Sequence, residues 1–215
     1  MAHISFSELK NWALCPYNHK LSYVDRIRLF QGNEYTAFGT AIHDTCERLL
    51  TLKESEELDP KNYFTLQFIK ELEGLKEKGI DEFDAVKYNF KGFIDVVLKT
   101  PDGKYHVIDW KTCSWGWDMR KKSDPILSYQ LTLYKRFFAQ KHNVEFKDVE
   151  THFALLKRTA KKNNVEIFRV TSGPKKMKNA LNLMTKALYN ITKKNYLKNR
   201  LSCKQCDFYQ TQHCT

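Results

Sequence analysis

The stretch GFIDVVLKTPDGKYHVIDWKT, positions 92 to 112, constrains this chain more than any other. Two apolar, strand-like runs flank TPDGK, in which proline takes the first corner of a tight turn, aspartate the next, and glycine a position open to positive φ. If Pro101, Asp102 and Gly103 form a three-residue loop, Thr100 pairs with Lys104, and counting outward sets Asp95 directly across from Asp109. Opposed Cβ atoms in such a hairpin lie about 5 Å apart. A two-residue Asp102-Gly103 loop would shift the register and separate the two acids. An acid inside an apolar strand is costly unless it is solvated, paired or bound to a metal. Two facing carboxylates must share a proton or a cation. Side chains alternate along a strand, so Lys111 shares the face of Asp109.

Two carboxylates with water ligands make a plausible half-site for a hard cation such as magnesium, which prefers oxygen donors. A bound cation would polarise a phosphoryl oxygen, with the lysine placed to meet developing charge. The same residues also fit a plainer arrangement, in which one aspartate faces solvent at a sheet edge and Lys111 pairs with the other. Charge favours a polyanionic partner or an anionic membrane surface, because 36 Lys+Arg against 25 Asp+Glu leave a net +11. No window reaches the roughly 20 apolar residues of a spanning helix. The start MAHISFSELKNW lacks the basic-then-apolar pattern of a signal peptide, so the expected location is a reducing cytoplasm, without membrane contact. There the six cysteines (15, 46, 113, 203, 206, 214) read as thiols or metal ligands rather than disulfides.

The remaining pattern predicts one domain of mixed α/β class around a single sheet. Ser5 and Glu8 have capping-box spacing, Ile4 and Leu9 occupy the hydrophobic-staple positions, and Pro16 ends that helix by Cys15. A helix over 35–50 carries Phe38, Ile42, Cys46 and Leu49 on one stripe, with Gly39, His43, Glu47 and Leu50 beside it. A further helix is expected over 63–75, closed by KEKG. After the hairpin, SDPILSYQLTLYKRFFAQK reads as a helix with Leu127, Leu131, Tyr134 and Phe138 inward. VETHFALLKR and NVEIFRVT read as a second strand pair. A long helix from Pro174 to Lys198 places Met177, Leu181, Met184, Leu188 and Ile191 on one side. Lysines line the other, as a solvated face or a nucleic-acid contact.

GFID followed by DWK resembles the signature of the PD-(D/E)XK nuclease superfamily. The resemblance implies a restriction-endonuclease-like fold, a mixed central sheet flanked by helices. It also implies that Asp95 and Asp109 bind magnesium or manganese and that Lys111 assists phosphodiester hydrolysis by a metal-activated water. FGTAIHDTCE is similar to the Gly-x-x-x-His helix of the RecB-like branch, which makes His43 a further metal ligand and gives Gly39 the task of leaving room for a close approach. YQLTLY matches that branch's Gln-x-x-x-Tyr element, implying supporting roles for Gln130 and Tyr134. The carbonyl of Trp110 would be another metal ligand.

The ends of the chain extend the likeness. Cys15 far upstream, with Cys203, Cys206 and Cys214 in CKQCDFYQTQHC, resembles the iron-sulfur staple of RecB-like nucleases such as AddB and the CRISPR-adaptation exonucleases. Four thiolates suit a 4Fe-4S cluster joining the termini. A structural zinc site is the alternative, with His213 able to replace Cys214, and the gap before Cys214 is longer than the family's. Cys46 and Cys113 read as small core residues. The implied activity is exonucleolytic cleavage of DNA, single-stranded or with free ends, by a phage or repair enzyme without a helicase motif. A structure-specific endonuclease and a non-catalytic DNA-binding protein are the alternatives. Trp115 and Trp117 could stack on bases or pack in the core.

Overall fold

A computed structural model describes residues 3–29, 32–53, 56–74 and 89–215. Its centre is a four-stranded mixed sheet in the order β3-β4-β5-β6, comprising β3 (Val96–Lys99), β4 (Tyr105–Cys113), β5 (Val149–Lys157) and β6 (Val165–Arg169). The outer pairs are antiparallel hairpins, and the central pair, β4 with β5, is parallel. A parallel connection needs a crossover. Here it is made by α5 (Met119–Lys122) and α6 (Pro125–His142). A short parallel pair, β1 (His3–Ser5) with β2 (Asn89–Lys91), stands apart from this sheet.

The expected hairpin register is the one observed: Val96 pairs with Ile108 and Lys99 with Tyr105. The loop closes through Thr100 N–H to the Lys104 carbonyl at 2.9 Å and Gly103 N–H to the Thr100 carbonyl at 2.9 Å. Gly103 takes φ +84°, which a side chain would resist. Asp95, however, sits one residue before β3 rather than inside the strand, and its carboxylate accepts the backbone N–H of Trp110.

Helix α6 is the middle layer. Asp124 caps it by accepting from Ile126 N–H at 2.8 Å, and Pro125 occupies the first turn, where its missing N–H does no harm. One side packs Leu131 and Tyr134 on Val107, Phe153 and Leu155 of the sheet. The other packs Leu133 on Ile4, Phe6 and Leu9 from β1 and α1 (Phe6–Leu14), and on Ala180, Ala187 and Ile191 of α7 (Pro174–Thr192). Two cores therefore share one helix. Leu181, Met184 and Leu188 join the second core as the sequence pattern requires, while Lys175, Lys178 and Lys186 are exposed. The helix stops at Thr192, short of the expected Lys198, because Lys194 turns left-handed at φ 54°.

Several local expectations are corrected. Ser5 caps α1 by accepting from Glu8 N–H at 3.2 Å, but the Glu8 carboxylate lies 2.9 Å from Nε2 of the fully buried His19 in α2 (Pro16–His19). Only half of the capping box is accounted for. In α3 (Glu34–Thr51) the deepest residues are Ala37, Ala41 and Thr45. On the expected stripe Phe38, Ile42 and Cys46 are half-buried and Leu49 is exposed, and Phe38 meets Phe64 and Phe68 of α4 (Pro60–Gly74) at ring centroids 5.3 and 6.0 Å. The KEKG closure lies outside the described residues. Cys46 and Cys113 are half-buried rather than fully enclosed. Among the described residues, no helix is long and apolar enough to cross a membrane.

Replacing Glu8 with alanine leaves Nε2 of His19 buried without its partner. An unsatisfied buried group of this kind costs about 1–3 kcal/mol. Urea denaturation of Glu8→Ala should show a loss of that order, and an unchanged midpoint would contradict the pairing.

Candidate metal-dependent active site

Three elements converge at the C-terminal half of β4. Asp109 is 2% exposed and faces α6, where Gln130 Nε2 donates to its Oδ1 at 2.8 Å. Lys111 Nζ lies 2.5 Å from the other oxygen, Oδ2, as an ion pair. Asp95 reaches the same place from the far side of the hairpin. Its Oδ2 accepts the backbone N–H of Trp110 at 2.7 Å, and its Oδ1 lies 3.4 Å from Nδ1 of His43 on α3. The His43 ring stands edge-on to the Trp110 indole at 5.7 Å between centroids. Thus His43, Asp95, Asp109, Trp110, Lys111 and Gln130, all marked by the sequence, form one cluster.

Burial dominates its electrostatics. It raises the Asp109 carboxyl from the ordinary 3.8 to about 6, with the Asp95 charge adding to the rise and Lys111 and His43 opposing it. A carboxylate held this dry, close enough to a second carboxylate for that charge to raise its pKa, fits a divalent-cation ligand. An oxygen-rich set with one imidazole fits magnesium or manganese.

Two supporting residues have clear mechanical roles. Tyr134 is buried against the core and lies 3.4 Å from Gln130 Nε2, and burial raises its phenol pKa. Gly92 makes room for it: a Cβ there would stand 2.5 Å from Tyr134 Cε1, too close for any side chain. The Gln130–Tyr134 pair therefore orients Asp109 rather than the lysine. At Gly39 a Cβ would meet Thr112 Oγ1 at 3.4 Å, an ordinary van der Waals contact, so the room expected of this glycine is not needed against β4. The two tryptophans divide: Trp117 is in the core against Phe153, while Trp115 is 74% exposed.

Far from this cluster, Cys15, Cys203, Cys206 and Cys214 line a single cavity with Tyr17 and Phe208. Asn199 N–H donates to Cys15 Sγ at 3.3 Å, and Asn18 Nδ2 to Cys206 Sγ at 3.1 Å. His213 instead sets its ring against Phe208. The chain ends are also tied directly, by Tyr17 N–H to the Leu197 carbonyl at 3.1 Å and Asn199 Nδ2 to the Leu14 carbonyl at 2.8 Å.

One cluster escaped the sequence reading. His106, Glu150 and His152 bring their ligand atoms within 4.8 Å of one another. The i, i+2 spacing of Glu150 and His152 signals a shared strand face, but His106 joins them only through the β4–β5 register.

A mixed sheet flanked by helices, with an Asp-x-Lys strand end facing a second aspartate, defines a nuclease scaffold. The chain belongs to the PD-(D/E)XK nuclease superfamily, whose family model matches residues 3–211. Membership implies divalent-metal-dependent nuclease activity on DNA. No curated protein matches the chain.

The raised Asp109 value has a consequence for stability. Between the ordinary value and about 6 the folded, metal-free chain keeps a proton that the unfolded chain has released. The contribution is fully present below the unfolded value and is lost as pH rises through about 6. In EDTA at neutral pH, Asp109→Asn should be more stable than the parent by on the order of 1–3 kcal/mol, the gap closing in acid. Thermal denaturation across that pH range checks this; a variant less stable at neutral pH would contradict it.

Proposed function

We propose that the chain is a magnesium- or manganese-dependent DNA exonuclease of the RecB-like type, built as one nuclease domain and working in a reducing cytoplasm. The observation that carries this reading is the convergence of Gln130 and Lys111 on buried Asp109, with Asp95 and His43 beside it. In the proposal Asp95, Asp109, His43 and the Trp110 carbonyl hold the cation. When bound, it supplies Lewis acidity to a phosphoryl oxygen and lowers the pKa of water. Gln130 keeps the Asp109 carboxylate in one rotamer, and Tyr134 keeps Gln130 in place. Lys111, its ammonium beside Asp109, stabilises negative charge developing on the phosphorus oxygens. The net +11 supports a polyanionic substrate. Trp115 and Phe93, 74% and 75% exposed, are offered as stacking surfaces for unpaired bases near an end.

The four cysteines around one cavity, two of them accepting N–H hydrogen bonds, fit a cluster-binding set. We assign them a structural 4Fe-4S cluster, with zinc the competing occupant. Anaerobically purified protein should then be brown; colourless protein with stoichiometric zinc would overturn the cluster.

The decisive assay is end-labelled linear DNA with Mg2+, Mn2+ or EDTA. Cleavage should require the cation and spare covalently closed circles. Asp109→Ala and Lys111→Ala should each lower the rate at least a hundredfold while DNA binding survives. Cleavage of closed circles would replace the exonuclease with an endonuclease, and no divalent-dependent cleavage of any DNA would defeat the reading.

A further inference from the structure

Side chains alternate along β4 and β5, so the residues facing α6 are Val107, Asp109 and Lys111 with Thr151, Phe153 and Leu155. His106, Glu150 and His152 belong to the opposite face of the sheet. There His106 Nδ1 lies 3.1 Å from His152 Nε2, and the rings are 5.2 Å apart at 35°. Glu150 Oε2 lies 3.9 Å from the same His152 nitrogen, while Arg169 Nη2 engages the other oxygen, Oε1, at 3.3 Å. Glu150 and His152 side chains are only 17% and 16% exposed.

The pattern is unlike a simple ion pair. Two imidazole nitrogens point at each other, and only one hydrogen can lie between them. Nitrogens each about 2.0–2.1 Å from zinc stand roughly 3.3 Å apart at the tetrahedral angle. The observed separation is close to that, and a Glu150 carboxylate oxygen lies within 4.8 Å of a ring nitrogen of each histidine. Arg169 orients the carboxylate from behind, as outer hydrogen-bond partners of metal ligands do.

We propose that His106, Glu150 and His152 form a second metal site, for zinc or a similar borderline dication, on the sheet face opposite the nuclease cluster. Two imidazoles and one carboxylate suit zinc, leaving a fourth position for water, and disfavour magnesium, which prefers oxygen ligands. The ion would clip β4 to β5 across their parallel seam, directly behind the strand that carries Asp109 and Lys111. It is a structural clip, distinct from the hydrolytic cation.

Full-length protein stripped of metal and returned to buffer with excess Mg2+ is titrated with Zn2+, and bound zinc is counted after gel filtration. The cysteine cavity takes zinc equally in parent and variants, so the difference reports this site. The parent should hold one zinc equivalent more than His106→Asn or His152→Ala. Glu150→Gln should weaken that equivalent at least tenfold. Zinc should raise the parent's Tm above that of the variants. The difference between parent and His152→Ala under Co2+ should show visible bands without thiolate charge transfer. Circular dichroism confirms folding, and the three single variants guard against the collapse of any one. Equal zinc stoichiometry and affinity in parent and variants would overturn the site, whatever the nuclease assay shows.

Discussion

The buried carboxylate of Asp109 is the constraint around which the rest is arranged. It occupies the seam between the sheet and α6, where an unpaired charge would oppose folding. Gln130 from α6 and Lys111 from the same strand face compensate part of that cost, and the remaining upward pull on its pKa persists. Gly92 lets Tyr134 lie flat enough to steady Gln130. Helix α6 can hold this geometry because its opposite side is locked to α1 and α7 by a second apolar core. The order of this cluster thus depends on packing against the far side of the same helix.

The hairpin was legible because its turn chemistry fixes register, and register fixes which side chains oppose. TPDGK carries both corner residues and the glycine that takes φ +84°, so the pairing of Val96 with Ile108 and of Lys99 with Tyr105 followed from counting. Periodicity likewise placed Leu131 and Tyr134 on the sheet side of α6, since long amphipathic helices signal their buried face strongly. Local features with two possible partners were not legible. Glu8 has capping-box spacing, yet its carboxylate serves His19, a choice decided by tertiary packing. The end of α7 at Thr192 depends on one left-handed lysine that no breaker residue announces.

Contacts across the parallel pair were the least legible. Nothing in sequence sets the register of β4 against β5, which are separated by a helix, so His106 could not be joined to Glu150 and His152. The cysteines were easier, since Cys15 with the late Cys-x-x-Cys and the final cysteine resembles the cluster staple of RecB-like nucleases. The shared cavity they line follows from direct hydrogen bonds between the two ends of the chain, which hold Cys15 beside Asn199.

Burial holds the Asp109 carboxyl at about 6, and in the proposed function a divalent cation is its partner. The most direct measurement is a 13C NMR titration of the aspartate carboxyl carbons, first with EDTA and then with saturating Mg2+. One aspartate, assigned by its absence in Asp109→Asn, should titrate at about 6 without metal and move well below the ordinary 3.8 with it. An Asp109 that titrates at the ordinary value, or whose titration ignores Mg2+, would contradict the account.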